Sequence, residues 1–434
     1  MNSVMTVRRY GFRFLSAAIS AASLCLFATT AAAQQPNTQA LLSQADEIFQ
    51  QMSQITGLPI KGPVKKEVIS RPEIEKYLIE NIHEDTTPEE LHQQEALVRV
   101  LGLVPPGFNL EKFLISFYTE QAAGFYDPKR KTMFIADWNT DETQSTVLAH
   151  ELTHALQDQS WDLEDYLHGA RGDDDATDAR QAVVEGYATA AMFQQMAGGL
   201  DLGALPNLST LMEGVIHSQF EEFPAFSNAP YFFRITATFP YVQGLGFIQA
   251  GLHQGGWPAL KDLFEHPPQT THQIFEPEAY FNHQPVAQVV LPHPPALEGA
   301  TGLRLLGENS LGELGYYSFL GQLVSEDEAH ALSPAWVADR YLLYEHAGGD
   351  DYALVARSRW ASSESAQAFF RDYRTILAQK YPHLSTDQRS GADLFIGDTG
   401  NNSVLLLRKG DECVWAEGVP TAQAGALLAW MQAL

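Results

Sequence analysis

The stretch HELTHALQDQ, residues 150–159, decides how this 434-residue chain is read. It sets His150 and His154 four positions apart with Glu151 directly after the first. On an α-helix, residues four apart share a face, so both imidazoles can point at one ion. Glu151 lies about 100° around the helix. It can therefore reach a water beside that ion without ligating the ion itself. A catalytic zinc takes three protein ligands and keeps one open position, and a water activated there gives up its proton near neutral pH. The spacing predicts metal-assisted hydrolysis, with His150 and His154 as metal ligands and Glu151 as general base. The plainer alternative is a helix with two surface histidines. The flanks argue against it: Val147, Leu148, Ala149, Leu152, Ala155 and Leu156 are apolar, and burying the motif's polar groups without a partner would be costly.

The third ligand has to come from outside the motif. Positions 157 and 160 are Gln and Ser, so no third histidine arrives at HExxHxxGxxH spacing. Glu185, in VVEGYATA, is the favoured candidate, because a carboxylate on a helix face of small and apolar residues is awkward unless it binds something. Asp158, Asp162, Glu164 and Asp165 are the alternatives, closer in sequence or in the loop after the motif helix.

HELTH followed by EGYATA resembles the gluzincin zinc metallopeptidases, the thermolysin-like HExxH…E superfamily. It is most similar to a bacterial branch carrying HELTHALQDQ and an EGxAT helix. The motifs of that resemblance span about residues 110–200. It implies an α+β zincin-like core, one Zn2+ per chain, and a peptide or protein substrate. It also implies a substrate-binding edge strand upstream of the motif helix, for which TMFIA (132–136) is in place, and a downstream Tyr or His that stabilises the oxyanion. Tyr241, in FPYVQGLGF, is the expected oxyanion residue, with Tyr187, Tyr231, His253 and His272 in competition. The sequence departs from the pattern at Thr189, where the relatives carry an aspartate that orients a histidine. Asp158, one turn after His154, is a candidate for such an orienting bond.

The remainder of the chain is consistent with an exported globular protein. Residues 1–33 carry Arg8, Arg9 and Arg13, then a short apolar run, then Ala31–Ala33, which is the layout of a secretory signal peptide. The expected location is periplasmic or extracellular, with no stable membrane insertion once the leader is removed. Beyond Cys25 in that run only Cys413 remains, which excludes an intramolecular disulfide or a cysteine-based metal site in the mature chain. The formal charge of −26 repels nucleic acid and leaves the substrate and the oligomeric state unspecified.

Periodicity divides the rest. Helical spacing over 38–56 and helices at 70–, 88–101 and 110–121 make an N-terminal helical part (34–105) that leads into the catalytic region. Ser70, Pro72 and Glu73 read as a helix start. A hairpin turns at Asp127–Arg130, and the motif helix starts near Thr143. GDDDATD reads as the acidic start of the next helix in preference to a calcium loop. Residues 34–305 form the expected metallopeptidase domain. Residues 306–434, rich in alternating strands, form a small C-terminal α+β domain. The rival functions are a catalytically silent zinc-bearing binding or chaperone-like envelope protein, and an envelope interaction protein acting through its C-terminal unit.

Overall fold

The computed structural model describes residues 23–24, 38–138, 141–210, 213–215, 223–300, 302–349 and 351–434. The signal peptide read over 1–33 lies outside the described residues except for Ser23–Leu24. The protein is an α+β structure with a helical region around one small sheet and a second, larger sheet.

The first half runs β1 (Ser23–Leu24), α1 (Thr38–Thr56), β2 (Lys65–Ile69), α2 (Arg71–Asp85), α3 (Pro88–Val100), α4 (Leu110–Gln121), β3 (Ala122–Asp127) and β4 (Thr132–Ala136). Then come α5 (Asp141–Trp161), α6 (Leu163–His168), α7 (Asp174–Met196) and, after short helical turns, α8 (Tyr231–Gly255). Local chemistry sets the boundaries. The Ser70 N–H donates to Glu73 Oε2 (2.8 Å) ahead of α2, and the Asp173 side chain accepts from Ala176 N (3.1 Å) to start α7. The acidic run is thus a helix start, as its composition predicts.

The small sheet has the order β1-β3-β4-β2, with β2 parallel to β4 and the other pairs antiparallel. This corrects the edge-strand expectation. TMFIA is β4, and its main chain is engaged by β3 on one side and by Lys65–Ile69 on the other. The strand beside the motif helix is β3. An ideal Cβ at Gly124 would stand 2.9 Å from both Val147 Cγ1 and the Phe134 carbonyl oxygen, so glycine lets β3 lie close against α5.

The second half begins with β5 (Leu303–Asn309), α9 (Gly312–Leu323) and α10 (Glu326–Leu332). It continues with β6 (Trp336–His346), β7 (Tyr352–Trp360), α11 (Ser363–Lys380), β8 (Ser385–Thr386), β9 (Leu394–Asp398), β10 (Asn402–Lys409), β11 (Glu412–Pro420) and α12 (Thr421–Ala433). These strands form one antiparallel sheet of order β5-β6-β7-β11-β10-β9-β8. Side chains alternate between its faces. Tyr341, Leu343, Leu354, Leu406 and Trp415 join the main core with Phe369 and Tyr373 of α11. Leu342, Val355, Leu405 and Val414 pack with Leu427 and Met431 of α12.

The two halves meet at the start of α7. Asp175 Oδ1 accepts from the Thr271 N–H (2.8 Å) and hydroxyl (2.5 Å), and the Leu314 N–H donates to that hydroxyl oxygen (3.1 Å). Gly312 has φ +68°, and a Cβ there would fall 2.0 Å from Asp175 Oδ1, so both backbone and space demand glycine. Its N–H and that of Leu311 donate to Asp339 (3.0 and 2.9 Å).

Burial pushes the Asp175 carboxyl up to about 8, against the Thr271 hydrogen bonds that favour its ionised form. Burial likewise raises Glu313 to about 7 and Asp339 to about 6. A carboxyl whose folded pKa lies above its unfolded value holds a proton that unfolding releases. The stability these three carboxyls contribute is therefore full at low pH and declines as pH rises from about 4 towards about 8. Asp175→Asn keeps an acceptor for Thr271 but cannot ionise. It is expected to flatten the fall in melting temperature between about pH 5.5 and about 8. An unchanged slope in thermal unfolding of that variant would refute the assignment.

Candidate metal centre

Helix α5 is enclosed by α1, α7 and β3, so nearly every side of it is buried. Leu148, Ala149, Leu152, Ala155 and Leu156 have no exposed surface. In this setting His150, Glu151 and His154 are themselves buried, at 4, 1 and 6% exposure. The reading of a helix with surface histidines is therefore set aside. Helix α7 crosses α5 and brings Glu185, 2% exposed, against the imidazoles. Glu185 Oε2 lies 3.1 Å from His150 Nε2 and 3.3 Å from His154 Nε2, and the two Nε2 atoms are 3.0 Å apart. Among the described residues this is the group of three or more His, Cys, Asp or Glu side chains able to hold a metal ion.

The donor set fits such an ion. Zinc–ligand distances of about 2.0–2.1 Å in a tetrahedron separate neighbouring ligand atoms by about 3.3 Å, close to the triangle seen here. Asp158, Asp162, Glu164 and Asp165 are not part of the cluster. Asp158 accepts from Tyr126 Oη (2.7 Å), Lys131 Nζ (2.8 Å) and the Leu163 N–H (3.2 Å), and Asp162 caps α6. Asp158 therefore does not orient a ligand histidine. It ties β3 and the hairpin turn to the end of α5.

The electrostatics are those of an anion between two imidazoles. Burial opposes charge on His154, but the Glu185 carboxylate outweighs it and holds the imidazolium up to about 9. Burial likewise opposes charge on Glu185, and the His154 imidazolium holds its carboxyl down to about 2. A metal ion entering this site replaces the proton as the charge partner of the carboxylate.

Sequence reasoning missed two glutamines that hold the ligands. Gln181 Nε2 donates to Glu185 Oε1 (2.8 Å), and Gln157 Oε1 lies 2.8 Å from His154 Nδ1. Both are buried, and each stands one helical turn from the ligand it touches, at i−4 and i+3. A polar side chain one turn from a ligand on an apolar helix was the available signal. The last residue of the quoted stretch also has a partner: Gln159 Oε1 accepts from the N–H groups of Lys61 (2.7 Å) and Gly62 (3.2 Å).

Glu151 does not join the triangle. Its Oε2 accepts the N–H of Tyr126 on β3 (2.8 Å), which fixes the carboxylate beside the ligand group. Tyr241, fully buried on α8, has its ring centroid 6.0 Å from that of His150. Pro240 precedes it and interrupts the helix's hydrogen-bond ladder there. The competitors lie in other contacts. Tyr187 packs against Trp161, Trp257 and Phe264, and Tyr231 lies against Gly321. His272 pairs with Glu313 (2.6 Å), and His253 lines a separate surface pocket with Asn207 and Ser209. Cys413 is buried in the second sheet and is not near a ligand position.

The fold and cluster define a protein with a buried His–His–Glu group, able to hold a metal ion, on two crossed helices. Residues 303–428, the second sheet and its helices, match a family described as a domain of unknown function (DUF8575). No curated protein and no solved structure matches the chain. No helix among the described residues is long and apolar enough to cross a membrane.

Proposed function

We propose that the protein is an exported zinc metallopeptidase that hydrolyses peptide bonds in peptides or proteins. The observation that carries this reading is the convergence of His150, His154 and Glu185 within ligand distance of one another, with Glu151 held beside them and outside the ligand set. Zinc bound there would supply a Lewis acid and an activated water. Glu151 takes the proton of the attacking water and passes it to the leaving amine. Tyr241, whose ring lies beside that of His150, stabilises the oxyanion. Export rests on the basic, apolar and small-residue order of residues 1–33.

The near-complete burial of the cluster favours a second reading, a closed zinc-bearing binding protein. Metal analysis and a peptide library test both. Purified protein is expected to carry about one zinc per chain. Glu185→Ala, which leaves two imidazoles, is expected to lose it. Zinc content equal to wild type in that variant would overturn the ligand set. Stoichiometric zinc with no cleavage of any library member would leave the closed-site reading standing and remove the peptidase.

A further inference from the structure

We propose that Gln157 is the positioning residue of this centre, a clamp that fixes His154 and holds the two ligand-bearing helices at their working separation. The inference rests on the metal-binding reading above and goes beyond it by assigning a role outside the ligand set. Gln157 has no exposed surface, and its amide touches two groups of opposite character. Nε2 donates to the carbonyl oxygen of Val184 (3.1 Å), and Oε1 faces His154 Nδ1 (2.8 Å).

A carbonyl only accepts, so Val184 dictates which way the amide lies. With Nε2 committed to Val184, Oε1 is left to face the imidazole. An oxygen there requires a hydrogen on Nδ1, so the Nε2 proton is the one the ring gives up to bind a metal, leaving the Nε2 lone pair toward Glu185 and His150. Val184 immediately precedes Glu185. One side chain from α5 thus grips one ligand and, through α7, the residue next to another. A fluctuation that parts the helices breaks the Val184 bond and frees the amide to turn away from His154.

The other histidine has no such support. Among the described residues, His150 Nδ1 and the Thr189 hydroxyl are both buried without a hydrogen-bond partner. The centre is therefore asymmetric: His154 is the anchored imidazole, and His150 is held by packing, Tyr241 included. Asp158, a candidate orienting group from its position in the motif, is occupied with Tyr126 and Lys131.

The test uses the full chain. Zinc affinity is measured by competition with a chromogenic chelator, and the His154 Nδ1–H is followed by 1H–15N NMR with and without zinc. Gln157→Leu, which fills the space but makes neither bond, is expected to weaken zinc binding about 10–100-fold and to lose a slowly exchanging Nδ1–H signal. Gln157→Glu restores the acceptor for Nδ1–H alone and lacks the bond to Val184, and is expected to recover the signal but only part of the affinity. Melting of the metal-free variants separates these effects from simple unfolding.

Zinc binding by Gln157→Leu within about twofold of wild type overturns the proposal, as does a protected Nδ1–H that persists in that variant. The same holds if Gln157→Glu rescues neither property. A wild-type protein that binds no zinc defeats the metal reading instead. The Nδ1–H signal of the metal-free protein then still decides whether the clamp exists.

Discussion

Replacing Glu151 with glutamine is expected to slow peptide hydrolysis about 10²–10⁴-fold, the usual contribution of a positioned acid–base group, while leaving zinc content at wild-type level. The expectation follows from where the side chain lies. Glu151 sits on the motif helix between His150 and His154 yet stays outside their triangle, and its Oε2 accepts the Tyr126 N–H (2.8 Å). A glutamine of the same shape can still accept that bond through its amide oxygen, so β3 and α5 stay in register. What it cannot do is take a proton. Charge removal and metal loss are thus separable at this position, which they are not at Glu185. The decisive measurement pairs turnover of a cleavable peptide with elemental analysis of the same sample. Undiminished turnover in the variant would exclude Glu151 as the base, and a parallel loss of zinc would place it in the ligand shell.

The second large effect is expected far from any titratable group. Gly186, the residue after Glu185, meets Gly244 where α7 crosses α8. A methyl group on Gly186 would stand 2.3 Å from both the carbonyl carbon and oxygen of Gly244, and one on Gly244 would stand 2.3 Å from the Ala182 oxygen. Backbone on both sides leaves nothing flexible to give way, so the helices must part. Gly186→Ala raises intrinsic helix propensity, yet it is expected to destabilise the protein by about 3 kcal/mol or more through overpacking. Parting the helices also moves Glu185 from the imidazoles and Tyr241 from His150. A lower melting temperature together with weakened zinc binding is therefore the expected pair of results, read by thermal unfolding and chelator competition. A variant that melts at or above the wild-type temperature would show that this crossing is looser than its geometry implies.

Local spacing made much of this legible. The histidine pair, the capping pattern at Ser70, the Asp127–Arg130 turn and the alternating strands of 336–360 all depend on residues a few positions apart, where helix and strand periodicity carry the information. Glu185 was legible for another reason, since a carboxylate amid small apolar residues needs a partner. Long-range pairings were not legible. Nothing in KKEVI announces that it lies parallel to TMFIA and converts that strand from edge to interior. Residues 312–332 form two helices that the strand-rich reading of this half did not assign. The role of Gln157 depends on the Val184 carbonyl that α7 supplies, and Asp158, a candidate orienting acid, is taken by Lys131 and Tyr126. Gly186 read as one more small residue in a stripe, because a close crossing is a property of two segments about 60 positions apart.

Helix α7 also joins the two ends of this architecture. Its first turn carries Asp175, locked onto Thr271 under Gly312, and the ligand carboxylate follows ten residues later on the same rod, about 15 Å along its axis. The C-terminal sheet is accordingly a footing on which the rod that carries Glu185 stands. Severing the chain ahead of Leu303 would strip the cover from a buried acid at the base of that rod.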